Sequence, residues 1–234
     1  MATGKVCNNS QTDIVDNILK EWGVLDDVKK TIPEWKSGEN YINKNSDIRI
    51  DDNCNVIYFQ SITLTKGNII IPDIIGDLSE LQGIYISENA IGEIPTSISK
   101  LDKLYELFLP GNKLTGTIPE NIGDIKSLQR IYIPNSSGNI SLTGYIPSSI
   151  VKLDLVTLLL QYNSLRITDD VAKYIKQQQD KHGEINILVD HLCIPINKYD
   201  FKMTYSTCGT KYCPPQIETI GISPTTFNIS YSSC

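Results

Sequence analysis

The sequence has no apolar run near the roughly 18 residues that a membrane-crossing helix requires, and no cluster of lysine and arginine. The first absence leaves no helical membrane span to expect. The second, with a net charge of −6, argues against nucleic acid as a partner, because such binders gather basic side chains on one face. Histidine is scarce, at two residues. No Gly-x-Ser-x-Gly elbow, His-Glu-x-x-His pair or phosphate loop occurs. The acid pairs Asp26-Asp27 and Asp51-Asp52 are adjacent in sequence, which reads as solvated loop charge rather than a general acid/base dyad. No catalytic residue, cofactor or metal is therefore expected. The opening residues, "MATGKVCNNS", lack the hydrophobic core of a signal peptide, so either the chain is not exported by that route or a leader was removed.

Cysteine is missing from everything between Cys54 and Cys193. The six present are Cys7 and Cys54 near the start, and Cys193, Cys208, Cys213 and Cys234 near the end. An even number confined to the two ends reads as disulfide staples on two caps, and the last four allow three pairings. Zinc is the weaker reading: four residues separate Cys208 from Cys213, but neither His182 nor His191 completes a ligand set. Four Asn-x-Ser triplets, at Asn8, Asn135, Asn139 and Asn228, are candidate glycosylation sites. With the cysteine pattern they point to an extracellular or luminal address.

What the sequence has in quantity is a repeat. In "LYELFLPGNKLTGTIPENIG", Leu104, Leu107, Leu109 and Leu114 follow neither the 3.6 period of a helix nor the steady alternation of a strand. The same order recurs from Leu81, Leu128 and Leu155, with a degenerate copy from Phe59. The interval falls in the range of leucine-rich repeats. Each repeat reads as one turn of a coil. A short strand points two apolar residues inward and its alternates outward. The chain then bends around an asparagine (Asn89, Asn112 or Asn163, with Asp190 as a substitute), whose amide can bond buried turn backbone. The isoleucine of Ile-Pro closes the opposite wall, and proline keeps the return path extended. A single turn cannot bury its apolar face, but a stack buries all of them in one core. The fold class expected is an α/β solenoid: a leucine-rich repeat right-handed superhelix with a parallel concave β-sheet.

The motif L-x-x-L-x-L-x-x-N-x-L-x-G-x-I-P resembles the plant-type extracellular leucine-rich repeat family, which includes receptor-like kinase ectodomains and polygalacturonase-inhibiting proteins. Gly92-Glu93-Ile94-Pro95, Gly116-Thr117-Ile118-Pro119 and Gly144-Tyr145-Ile146-Pro147 carry the likeness. It implies three parts: an N-terminal cap over 1–55, five or six repeats over 56–193, and a cysteine-rich C-terminal cap over 194–234. The cap in that family is helical, with a tryptophan and a disulfide. Here "TDIVDNILKEW" sets Ile14, Val15, Ile18, Leu19 and Trp22 on one helical face, with Thr12 or Asp13 at its start. The family's paired-cysteine motif is missing, and the resemblance implies a Cys7–Cys54 bridge in its place. "TDDVAKYIKQQQDKHG" reads as a second helix, ending at Gly183.

By register, the central outward column of the sheet is Thr63, Tyr85, Phe108, Tyr132 and Leu159, flanked by Ser61, Gly83, Glu106, Arg130 and Thr157. On the other side run Gln161 and then the row Glu88, Gly111, Asn135 and Tyr162. Tyrosine and arginine are enriched where interfaces bind most strongly. The candidate ligand-binding residues are Tyr85, Glu88, Glu106, Phe108, Arg130, Tyr132, Gln161 and Tyr162. Packing of neighbouring aromatics within the sheet is the competing account. The resemblance implies a non-catalytic recognition protein, secreted, with a protein or glycan as ligand. A coat, wall or matrix role with self-association is the alternative, and a glycan on Asn135 would stand at the rim of the proposed face.

Overall fold

The computed structural model describes residues 4–43, 46–61, 68–87, 89–135, 141–160, 162–182 and 186–189. The chain opens with helix α1 (Ser10–Glu21). Its cap is Asn9 rather than Thr12 or Asp13. The Asn9 side chain accepts from the Thr12 amide at 3.1 Å, and the Thr12 hydroxyl accepts from the Asn9 amide at 3.3 Å. This reciprocal pair satisfies donors that a helix start otherwise leaves open. Val15, Ile18 and Leu19 are buried, as the helical spacing predicts.

Both tryptophans are cap core. The Trp22 indole donates to the Ile70 carbonyl at 2.8 Å and meets Phe59 edge-on, with ring centroids 5.7 Å apart. The Trp35 indole donates to Asp16 at 2.7 Å beneath the Lys29 ammonium, 4.5 Å from the ring centroid. Between them lies a short helix, α2 (Leu25–Thr31). An antiparallel hairpin, β1 (Asn40–Asn43) and β2 (Ser46–Ile50), follows. The repeat motif gives no sign of this hairpin. Cys54 lies between this hairpin and the strand that follows. The Cys7–Cys54 bridge is present, with Cα atoms 5.5 Å apart.

The coils then begin. Strand β3 (Val56–Ser61) pairs antiparallel with β2 and parallel with β5 (Gly83–Ile86). Strands β7 (Glu106–Phe108), β9 (Arg130–Tyr132), β11 (Thr157–Leu160) and β13 (Asn186–Val189) add on in parallel, completing an eight-stranded sheet in the order β1-β2-β3-β5-β7-β9-β11-β13. Ile84, Leu107, Ile131 and Leu158 are each 1% exposed, so the inner ladder is one interior. Beyond the bend a second, narrower ladder forms. Strands β4 (Ile69–Ile70), β6 (Ala90–Gly92) and β8 (Lys113–Leu114) make one sheet, and β10 (Thr143–Tyr145) with β12 (Ser164–Arg166) another.

The return path differs from the extended run expected. Each Ile-Pro leads into a five-residue 3-10 turn: Asp73–Asp77, Thr96–Lys100, Glu120–Asp124 and Ser148–Lys152. Proline starts each turn because its fixed φ suits the entry and its missing N–H removes a donor with no partner there. Ile75, Ile98, Ile122 and Ile150 then point inward and close the back wall. Coils approach closely here: a Cβ on Gly123 would lie 1.9 Å from the Ser149 carbonyl oxygen. In the last turn helix α3 (Asp169–His182) takes over the return path. Its Tyr174 hydroxyl donates to the Leu153 carbonyl at 2.9 Å and accepts from the Leu155 amide at 3.3 Å. Cys193, Cys208, Cys213, Cys234 and the proposed C-terminal cap lie outside the described residues.

The asparagines tie coil to coil. Asn112, 1% exposed, accepts from the Asn89 and Ala90 amides at 3.0 and 2.8 Å and donates to the Ile86 carbonyl at 2.7 Å. Asn163 accepts from the Leu142 amide at 3.1 Å and donates to the Ile133 and Leu160 carbonyls at 2.8 and 3.0 Å. The residue before each lies in the left-handed region: Gly111 at φ 68° and Tyr162 at φ 62°.

Candidate binding face on the concave sheet

The outward residues of the parallel strands line the concave face. Their register corrects the first coil. Tyr58, not Ser61, lies opposite Gly83, and Gln60, not Thr63, lies opposite Tyr85, while Thr63 is outside the described residues. The repeat copy read from Phe59 takes that residue as its first leucine, whereas Phe59 fills the inward place opposite Ile84. The other coils keep the expected columns: Gly83, Glu106, Arg130 and Thr157 in one, Tyr85, Phe108, Tyr132 and Leu159 in the next.

The three central aromatics form a stack of four once Tyr58 is included. The Tyr85 and Phe108 rings lie 4.4 Å apart and within 11° of parallel. Tyr58–Tyr85 and Phe108–Tyr132 are each 5.3 Å apart, tilted by 35° and 31°. Tyr58 comes from the neighbouring column and reaches Tyr85 only because Gly83 has no side chain: a Cβ there would be 2.5 Å from the Tyr58 ring. Parallel strands stand about 4.8 Å apart, close to the spacing at which rings stack. Ring faces therefore look along the sheet at one another and the edges look outward. Arg49 covers the outer face of Tyr58, its guanidinium carbon 4.4 Å from the ring centroid. All four rings are half-buried.

Beside the stack runs a polar chain. The Tyr85 hydroxyl donates to one Glu106 oxygen at 3.0 Å, and Arg130 donates to the other at 2.5 Å. Burial pushes the Tyr85 hydroxyl well above the usual tyrosine range, and its bond to Glu106 adds to this. The same carboxylate raises the Arg130 guanidinium. Arg130 also lies over Tyr105, 5.4 Å from the ring centroid. Glu106 thus has both oxygens engaged and is not placed as a general base, whereas the Arg130 side chain stays 42% exposed with further donors to offer.

The structure therefore brings Tyr85, Glu106, Phe108, Arg130 and Tyr132 together. Tyr162 stands half-buried at the rim. Glu88 and Gln161 lie outside the described residues, as do Asn139, Asn228, Asp190 and His191. Tyr58, Gln60 and Arg49 were missed. The usable signal was the inward pair Val56 and Phe59, which matches the spacing of Leu81 and Ile84. Asn135 also departs from expectation. It lies opposite Asn112 rather than Gly111, and it is 7% exposed. It pairs with the buried Asn112 and so belongs to the buried asparagine row, not to the outer rim.

The leucine-rich repeat family model matches residues 103–125. No curated protein sequence matches the chain. Among solved structures, a plant ice-binding protein shares 22% identity, with a TM-score of 0.56; the match covers 80% of this chain and 57% of that one. A chain of the BIR3–SERK2 complex from Arabidopsis thaliana shares 32% identity over 54% of this chain and 68% of its own, with a TM-score of 0.45. A plant peptide hormone receptor, RGFR1 in complex with RGF2, shares 34% identity over 51% of this chain and 19% of its own, with a TM-score of 0.41. The matched repeat and the stacked parallel strands together make this a leucine-rich repeat fold.

Proposed function

We propose that the chain is a non-catalytic, extracellular recognition domain whose concave sheet binds a polypeptide partner. The observation that carries this is the half-exposed stack Tyr58–Tyr85–Phe108–Tyr132 beside the partly open Arg130. Apolar ring edges left in water across four adjacent strands, next to a guanidinium with spare donors, are the composition of an interface anchor.

The stacking also bears on ligand class. A sugar docks on the open face of an aromatic ring, but here the inner ring faces cover one another and Arg49 covers the outer face of Tyr58. Apart from the far face of Tyr132, what remains open is a ridge of ring edges, which favours apolar side chains of a polypeptide over a glycan. The structures solved for several neighbours, among them RGFR1 with RGF2, are complexes with peptide or protein partners, which agrees with this choice.

The test is to pan a displayed random-peptide library on the immobilised chain and on a Y85A/F108A/Y132A variant, beside a glycan array. Truncating a cluster of anchor residues costs on the order of 4 kcal/mol or more, so the variant should retain no binding to peptides that the parent selects, with its circular dichroism unchanged. Equal enrichment by both proteins would remove this face from consideration. Binding on the array alone would transfer the site to glycans.

A further inference from the structure

We infer that Asn8 is a carbohydrate-bearing asparagine, and that Asn135, buried in the folded chain, carries no carbohydrate. This rests on the extracellular address proposed above. Asn8 and Asn135 carry the same sequence signal, Asn-x-Ser, so the motif cannot separate them. Their surroundings do.

Asn8 is exposed, in the segment just ahead of α1. The role that could occupy an asparagine here, capping the helix, is filled by the next residue: Asn9 accepts from the Thr12 amide and donates its side-chain amide to the Cys54 carbonyl at 3.0 Å. Ser10, the hydroxyl residue of the triplet, is likewise exposed at the first helical position. The site is held in place by the Cys7–Cys54 bridge immediately before it.

Asn135 stands in the opposite situation. Its backbone pairs with that of the buried Asn112, and the residue is 7% exposed. A sugar on its amide nitrogen needs open solvent beside the side chain, which a residue 7% exposed does not have. Transfer at Asn8 joins the side-chain nitrogen to the anomeric carbon of an oligosaccharide carried on a lipid pyrophosphate. The carbon–oxygen bond to the pyrophosphate breaks, the lipid pyrophosphate departs, and the amide nitrogen gives up one proton. Chains modified at Asn135 before folding cannot close the stack and are lost from the folded pool. The fourth coil is therefore free of an Asn135 glycan.

The experiment is secretory expression behind a supplied leader, with glycopeptide mapping of the monodisperse product. Asn8 should be occupied and Asn135 empty. N8Q and S10A should each remove one mass step. S137A deletes the Asn135 triplet while keeping the asparagine, and it should leave the glycan pattern unchanged. A glycan on Asn135 in folded, monodisperse protein, or an unmodified Asn8, overturns the inference. Non-reducing mapping of Cys7–Cys54 on the same sample confirms passage through an oxidising compartment, so an empty Asn8 cannot be assigned to failed export. The peptide-binding test does not depend on this result.

Discussion

Replacing Asn112 with alanine tests the reasoning most directly, because the outcome follows from counted bonds. Asn112 serves three main-chain groups of the neighbouring coil: the Asn89 and Ala90 amides and the Ile86 carbonyl. The site is almost fully buried. Each such group left without a partner costs about 1–3 kcal/mol. Water that enters the vacated space offsets part of the loss, so the net destabilisation should be about 3–5 kcal/mol. That is a large share of the 5–15 kcal/mol typical of a folded domain. Asn112→Asp provides the internal control. It keeps the two acceptor bonds but loses the donor to Ile86, so it should fall between parent and alanine. Urea unfolding read by far-ultraviolet circular dichroism gives the free energies. Tryptophan fluorescence reports the N-terminal cap separately, since Trp22 and Trp35 are the only tryptophans. If the coils unfold as one unit, both signals shift together. A loss under about 1 kcal/mol for the alanine variant would show that the asparagine row does not hold the coils, and the account of the repeat would fail.

Three further outcomes follow from the same geometry. Reducing Cys7–Cys54, or replacing both with serine, should cost about 2–4 kcal/mol in urea unfolding, given the 47-residue separation it closes; an unchanged midpoint would mean the cap is held by packing alone. Gly83→Ala should displace the Tyr58 ring from Tyr85 and cost about 0.5–1.5 kcal/mol, the value of an aromatic pair, with a matching loss of peptide binding but no change at the cap tryptophans. In alkali, an unfolded tyrosine loses its proton near pH 10, whereas burial pushes Tyr174 up to about 12 and raises Tyr85 as well. The native state then holds protons that the unfolded state has released, so stability is at full value below pH 10 and falls as pH rises through 10 to 12. Absorbance at 295 nm should show part of the tyrosine complement titrating only with unfolding; complete titration near pH 10 with the fold intact would contradict this.

Much of this molecule was legible because the information was local. Leu107, Leu109, Asn112 and Ile118 recur at fixed offsets, and a coil that repeats its offsets repeats its inward and outward directions. The column Tyr85, Phe108 and Tyr132, with Glu106 and Arg130 beside it, followed from that periodicity. The helix α1 was visible in its spacing, although its cap was not, because Asn9, Thr12 and Asp13 are all acceptable capping residues by type.

The rest depended on which partner a segment met. Register in β3 was set by the β2 hairpin and by burial of Val56 and Phe59, so Tyr58 rather than Ser61 came to face outward. A slip of pairing between strands moves side chains without altering the sequence motif. Tyr58 completed the ring stack only through the space above Gly83. Asn135 carries the same triplet as Asn8, and only the folded chain decides that one is buried and the other exposed. The sequence by itself determined the repeating unit, since period and inward direction are properties of one turn of chain. The tertiary structure alone decided the register of the first coil, the stacking of the rings and the burial of each asparagine, since these are properties of contacts between turns.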